Sequence, residues 1–187
     1  MSKAAGPDTV ERDIVLLHSS DVHLDHDAEQ CGLGDSTRYL SAVLLAAREA
    51  GADLVLLAGD TFDSNRQPAA FVDRVAALLA EAPAPVVVLP GNHDPLVPDT
   101  LYRRIQSANI ESLHILGLTH DEHVAFDALD LEIWGRAHRD YGDMIPFERM
   151  RDRGKRWHIA MGHGHYEPAP DRRIAGRPSW LIGDAEL

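Results

Sequence analysis

Acidic, amide and imidazole side chains form four short clusters in this chain, and each cluster directly follows an apolar stretch. The clusters are Asp21-Val22-His23, Gly59-Asp60-Thr61-Phe62-Asp63, Gly91-Asn92-His93-Asp94 and Gly162-His163-Gly164-His165. Carboxylate, imidazole and amide oxygen together suit borderline cations such as manganese, iron or zinc. The single cysteine excludes a zinc site built from thiolates. The clusters therefore predict a metal centre with oxygen and nitrogen ligands.

Such ligands can hold the cations of a metal-assisted hydrolase. One carboxylate with two oxygens can bridge two cations about 3.5–4 Å apart, which is the separation found in two-metal hydrolases. A cation pair lowers the pKa of a shared water, supplies a hydroxide near neutral pH and holds the phosphate oxygens as charge builds. The sequence thus predicts a dinuclear hydrolase.

The four clusters can meet only if the stretches before them lie side by side. Apolar, strand-like runs occur at Ile14–Ser20, Asp53–Gly59 and Pro85–Gly91, and apolar residues with helical spacing occur between them at Ser36–Ala50 and Pro68–Ala82. Continuous apolar strands separated by helices predict a parallel sheet covered on both faces. Ligands bind beyond the carboxyl ends of the strands in such sheets, which is where the clusters lie.

The second half of the chain is predicted to be richer in β-structure. We expect a short helix, three shorter strands, a polar helix and a last strand, at Asp99–Ala108, Ile110–Leu116, Val124–Phe126, Leu129–Gly135, Ile145–Arg153 and Trp157–Met161. Asp127–Asp130 is predicted to be a hairpin connection. His18, inside the first strand, is expected to be a core residue.

Composition favours one globular domain that does not enter a membrane. Apolar residues make up 44% of the 187 residues, and no apolar run approaches the roughly 18 needed to span a bilayer. The first dozen residues lack a secretory signal, and one cysteine cannot form an internal disulfide, so we expect a cytoplasmic protein. The net charge of −12 argues against a broad electropositive surface for nucleic acid, although cation-binding carboxylates would account for part of it.

The four clusters resemble, in order, the motifs D-x-H, G-D-x-x-D, G-N-H-D and G-H-x-H of calcineurin-like metallophosphoesterases. The resemblance covers residues 14 to 166, and the sequence segments GDTFDSNR and LPGNHDP are most similar to those of the DNA-repair exonuclease branch. It implies an α/β fold, an α-β-β-α sandwich with its metal site at strand ends, over residues 13–187 behind a flexible tail of residues 1–12. It also implies two divalent cations, with manganese favoured over iron or zinc.

The resemblance assigns metal ligands residue by residue, and the implied set is Asp21, His23, Asp60, Asn92, His163 and His165. Asp60 would bridge the two cations. Asp21 and His23 would bind the first cation, and Asn92 and His163 would bind the second. A bridging hydroxide would then attack the phosphoester.

Two further residues have implied catalytic roles. His93 would face the leaving group as general acid, and Asp63 would hydrogen-bond to His93 and fix its tautomer. The implied partner is a phosphoester substrate, for which DNA is a candidate, and the exonuclease branch also suggests a homodimer or a partner ATPase. The alternative is a non-catalytic metal-binding scaffold or an inactive fragment.

One departure from the family pattern leaves two interpretations open. The family has a separate histidine, some tens of residues and then G-H-x-H, whereas this chain has one such cluster followed by 22 residues. In one interpretation Gly162–His165 is the terminal motif, His165 binds the first cation, and the separate histidine is missing or is His138. In the other, which we favour, His163 is the separate histidine and the chain stops before the final motif.

Overall fold

The computed structural model describes residues 13–148, 152–173 and 179–187, except for the side chains of residues 29 and 30. The strands are β1 Leu16–Ser19, β2 Leu54–Ala58, β3 Val86–Leu89, β4 Leu113–Ile115, β5 His123–Phe126, β6 Leu131–Gly135, β7 Trp157–Met161, β8 His165–Tyr166 and β9 Leu181–Ile182. The α-helices are α1 Asp27–Gln30, α2 Thr37–Ala50, α3 Ala69–Ala80 and α4 Tyr102–Ser107. Single 3₁₀ turns lie at Asp127–Leu129 and Asp184–Glu186.

The predicted parallel sheet is confirmed, with strand order β1-β2-β3-β4. Its central strands β2 and β3 are buried at every residue, as their continuous apolar sequences require. The sequence pattern places β4 in the β-rich half, but this strand pairs in parallel with β3. The short helix α4 provides the crossover between them, so the first sheet has one strand more than the sequence pattern indicates.

Alternate residues of β2 face two different apolar layers. Val55 and Leu57 pack into the cluster that contains α2 and α3, whereas Leu54 and Leu56 pack against the second sheet. That second sheet has the order β5-β6-β7, with β5 antiparallel to β6 and β7 parallel to β6. Helices, parallel sheet and mixed sheet therefore form successive layers, as expected for the predicted sandwich.

The end of the chain differs from the sequence prediction. The predicted helix Ile145–Arg153 begins as a turn, and its residues 149–151 lie outside the described residues. The sequence pattern predicts no strand after β7, but β8 pairs in parallel with β9 through His165 and Leu181. Among the parts that the structure describes, no helix has the length and apolar character needed to cross a membrane.

Asp94 connects the loops that follow β2 and β3. Its carboxylate is fully buried and accepts the N–H of Phe62 at 2.9 Å, the N–H of Gly91 at 2.7 Å and the hydroxyl of Tyr102 at 2.6 Å. Burial raises the pKa of Asp94, although all three hydrogen bonds favour the ionised form. One side chain thus holds two loops and α4 in a fixed arrangement.

We predict that Asp94→Asn lowers the free energy of unfolding by about 2 kcal/mol, the usual cost of an unsatisfied buried group. Each carboxylate oxygen accepts at least one N–H, so the new NH₂ group would face a donor in either orientation. Urea unfolding followed by circular dichroism measures the loss. Tyr102→Phe removes only one of the three hydrogen bonds and should cost less. An Asp94→Asn midpoint equal to that of the wild type would contradict this account.

Candidate metal centre

The loops that follow β1 and β2 are joined by backbone hydrogen bonds. The N–H of Asp21 donates to Gly59 O at 3.1 Å, and the N–H of His23 donates to Asp60 O at 3.1 Å. Leu24 continues the ladder by donating to Thr61 O at 2.9 Å. The D-x-H and G-D-x-x-D sequences therefore lie beside each other at the carboxyl edge of the sheet.

Three of the predicted ligands have a left-handed backbone. The φ angles are 53° at Asp21, 48° at His23 and 50° at Asp60, a region that residues other than glycine rarely adopt. Such strain persists only where surrounding structure enforces it, and it concentrates at functional sites. These turns direct the three side chains toward one another, and their ligand atoms all lie within 4.8 Å.

The carboxylate of Asp60 lies between two imidazoles. Its Oδ2 is 3.1 Å from Nε2 of His163 and 3.9 Å from Nε2 of His23. Asp21 Oδ1 also lies 3.9 Å from Nε2 of His23, and Asn92 Oδ1 lies 3.1 Å from Nε2 of His163. The structure thus brings Asp21 close to His23 and Asn92 close to His163, and both histidines lie near the same oxygen of Asp60.

Two glycines allow this close approach. Gly59 has a φ of 87°, and a Cβ at this position would collide with the ring of His163. A Cβ at Gly91 would collide with the carboxylate of Asp60. Any side chain at either position would therefore displace a predicted ligand.

Asp60 is buried, and its charge is compensated by hydrogen bonds. Burial acts to raise the pKa of Asp60, but the hydrogen bonds from His163 and from the N–H of His93 outweigh it and hold the pKa below its ordinary value. Burial likewise acts to lower the pKa of His163, but the neighbouring Asp60 carboxylate outweighs it and raises that pKa. The surroundings of Asp60 therefore favour its ionised form.

Hydrogen bonds to the Nδ1 atoms leave the Nε2 atoms facing the centre. Nδ1 of His163 donates to Ala58 O at 3.0 Å, and Nδ1 of His23 donates to Asp63 Oδ1 at 2.9 Å. A hydrogen bond on one ring nitrogen fixes the orientation and tautomer of a histidine that binds a metal through the other. The donor set and its outer hydrogen bonds therefore fit divalent cations.

The predicted hydrogen bond between the Asp63 carboxylate and His93 is replaced by a different arrangement. Nδ1 of His93 donates to the backbone oxygen of Asp63 at 2.9 Å, whereas the carboxylate is 3.9 Å from that nitrogen. The rings of His93 and His23 lie 4.8 Å apart and nearly perpendicular, so one carboxylate can reach either. In this structure the Asp63 carboxylate accepts the hydrogen bond from His23, and the backbone oxygen of Asp63 accepts the one from His93.

The remaining histidines differ in how close they come to the cluster. His165 is exposed on β8 and borders the same cavity, of about 700 Å³. Among the described residues, neither His165 nor His163 belongs to a set of three acidic or imidazole side chains whose ligand atoms all lie within 4.8 Å of one another. His138 is buried and donates from Nε2 to His163 O at 3.1 Å, so it supports the main chain of a predicted ligand. Burial lowers the pKa of His138.

The expectation that His18 is a core residue is wrong. β1 is an edge strand, so the side chain of His18 is exposed and borders the cavity. Trp180 also borders this cavity, and sequence reasoning missed it. Trp180 follows a stretch without strand or helix periodicity, and nothing in that stretch indicates a return to the site.

The comparisons with known proteins identify the family of this chain. The chain belongs to the calcineurin-like phosphoesterase family, whose model matches residues 14–185. It is also similar to one component of the nuclease SbcCD of Bacillus subtilis (strain 168), with 29% identity over 107 residues. That match covers 54% of this chain and 27% of the relative, so the chain spans little more than a quarter of it. Phosphoesterase membership and similarity to a nuclease component confirm the family that the four motifs predict.

We predict that Asp63→Ala weakens Mn²⁺ binding about tenfold, because outer hydrogen-bond partners of metal ligands typically contribute 10- to 100-fold to affinity. Titration calorimetry with Mn²⁺ measures the change. Asp99→Ala removes an exposed carboxylate outside the site and serves as the matched control. Unchanged affinity combined with slower turnover would instead show that Asp63 acts through His93.

Proposed function

We propose that this chain hydrolyses phosphoesters at a dinuclear metal site bridged by Asp60. The observation that carries the proposal is the position of the buried Asp60 carboxylate between His23 and His163, with Oδ2 3.9 Å and 3.1 Å from their Nε2 atoms. A carboxylate that lies within reach of imidazoles from both predicted ligand groups is suited to being shared by two cations. Membership of a phosphoesterase family supports the reaction class.

The residues divide into two ligand groups that share Asp60. Asp21 and His23 would hold one cation, and Asn92 and His163 would hold the other. Two divalent cations, with manganese our first choice, would supply Lewis-acid activation of a water and neutralise charge on the phosphate oxygens. His165 remains a candidate ligand for the first cation.

His93 is the proposed general acid. Attack of water on phosphorus forms a new P–O bond as the bond to the leaving alkoxide breaks, and the departing oxygen needs a proton. Nδ1–H of His93 donates a hydrogen bond to the backbone oxygen of Asp63. Nε2 is therefore the ring nitrogen that can give a proton to the leaving group. The half-exposed ring of His93 is accessible to a substrate in the cavity.

We predict that His93→Ala slows hydrolysis of an alkyl phosphodiester by about 100-fold or more, within the usual range for loss of a general acid. A nitrophenyl leaving group departs without a proton. The factor by which His93→Ala slows hydrolysis of bis(p-nitrophenyl) phosphate should therefore be at least ten times smaller than the factor for the alkyl ester. The measurement is steady-state turnover of both esters with Mn²⁺.

Asp60→Asn is the companion variant, because an amide keeps the shape but has lost the charge and one acceptor oxygen. It should lose both metal binding and turnover, whereas His93→Ala should keep two Mn²⁺ per chain. Equal rates for wild type and both variants would refute the proposed catalysis. One weak metal or none in the wild type would favour the non-catalytic scaffold.

We further propose that the substrate is DNA and that a partner protein assists. The relative's name describes a nuclease and one component of a complex, and the motif wording of this chain is similar to the exonuclease branch. With a net charge of −12, attraction to a polyanion depends on cations held at the site.

Labelled single-stranded DNA should therefore bind in the presence of Mn²⁺, with an affinity that falls as salt rises. Fluorescence anisotropy at low and high salt measures this dependence. Asp60→Asn, which lacks the bridging ligand, should bind far more weakly. If the wild type shows no binding at low salt, small phosphodiesters replace DNA as the substrate class.

A further inference from the structure

We propose that the indole of Trp180 stacks on a nucleobase beside the phosphate at the metal centre and so selects nucleotide-bearing substrates. This inference rests on the proposed function and deepens it, because it names what the substrate must carry next to the reacting phosphorus. Its basis is the position, orientation and backbone conformation of Trp180.

Trp180 borders the same cavity as the candidate metal ligands. The ring of His138 lies between Trp180 and His163, with centroids 5.6 Å from the indole and 5.9 Å from His163. Both contacts are edge-to-face, at 69° and 77°. One imidazole therefore separates the indole from a metal ligand, and a substrate phosphate at the centre would bring its neighbouring group toward the indole.

The orientation of Trp180 is fixed by hydrogen bonds on every polar atom. The indole Nε1–H donates to Gly142 O at 3.0 Å, and the backbone N–H donates to Asp143 Oδ1 at 2.9 Å. The backbone oxygen accepts the N–H of His165 at 3.0 Å. Since the indole N–H is already satisfied, the ring offers the cavity an apolar aromatic surface.

The backbone of Trp180 is in an uncommon conformation. Its φ of 45° lies in the left-handed region, which bulky side chains rarely adopt. Asp21, His23, Asp60, Asn109 and Asp130 share this φ range, and all five are of the polar types that adopt it more often than other residues, whereas tryptophan is not. Strain of this kind in a bulky residue at a cavity wall indicates that the side chain is held there for function.

An aromatic ring is well suited to this acidic chain. Every nucleobase presents a π face, so stacking on an aromatic side chain is tolerant of sequence and raises affinity by roughly tenfold per base. Stacking needs no positive charge on the protein. It therefore supplies affinity for a nucleotide that the net charge of −12 does not.

The test compares binding of two phosphonates that cannot be cleaved. One is the analogue of thymidine 5′-phosphate in which CH₂ replaces the ester oxygen, and the other is the same analogue of 2-deoxyribose 5-phosphate, which lacks the base. Calorimetry with the Mn²⁺-loaded full chain gives both affinities. Trp180→Leu should weaken the nucleoside phosphonate about tenfold and leave the abasic one unchanged, and Trp180→Phe should keep most of the affinity.

The matched control is Trp157→Leu, which removes a half-exposed tryptophan on β7 that borders a different cavity. It should change neither affinity. Equal losses for both phosphonates in Trp180→Leu, no loss at all, or a loss in Trp180→Phe as large as in Trp180→Leu would each overturn the inference. Base-selective binding without hydrolysis would refute only the proposed catalysis. No binding of either phosphonate by a chain that hydrolyses phosphodiesters would refute only this inference.

Discussion

The ionised carboxylate of Asp60 is the group around which the rest of the site is arranged. An unpaired charge removed from water is costly, so it must be met by donors or by cations. The protein supplies the N–H of His93 and the ring of His163, and both hold the pKa of Asp60 low. Glycines at 59 and 91 allow these groups to approach closely. The fold thus keeps an acceptor ionised where cations can share it.

The arrangement depends on a second buried carboxylate, that of Asp94, which does not line the cavity. It fixes the main chain of the loops after β2 and β3, which carry Asp60 and Asn92, through the N–H groups of Phe62 and Gly91. Loops at the end of a parallel sheet have few neighbours to define their shape, so a side chain that accepts from both is an effective constraint. Asp60 is therefore the candidate ligand, whereas Asp94 holds the two loops that carry Asp60 and Asn92.

The first three strands of the parallel sheet and the four clusters were predictable because both signals are local. β2 and β3 are continuous apolar runs, and each cluster begins one or two residues after a strand ends. The pairing of Asp63 with His23 was not predictable, because two imidazoles lie within reach of one carboxylate and spacing does not choose between them. The strands β8 and β9 have two residues each, which is too short to show an alternation of apolar and polar residues. The sequence therefore gives no sign that Trp180 lies at the cavity.

An acidic chain and a polyanionic substrate are compatible if attraction is concentrated rather than spread over the surface. In the proposed function, Asp21, Asp60 and Asp63 would repel a phosphate until cations reversed the local charge, so the substrate would bind after the metal. A lysine-rich surface would hold any nucleic acid at any position, whereas a cation pair holds one phosphate at the reacting position. Stacking on Trp180 acts independently of salt and of net charge, and so it can determine which group lies beside that phosphate. The metal centre would then select the phosphate, and the indole would select what is attached to it.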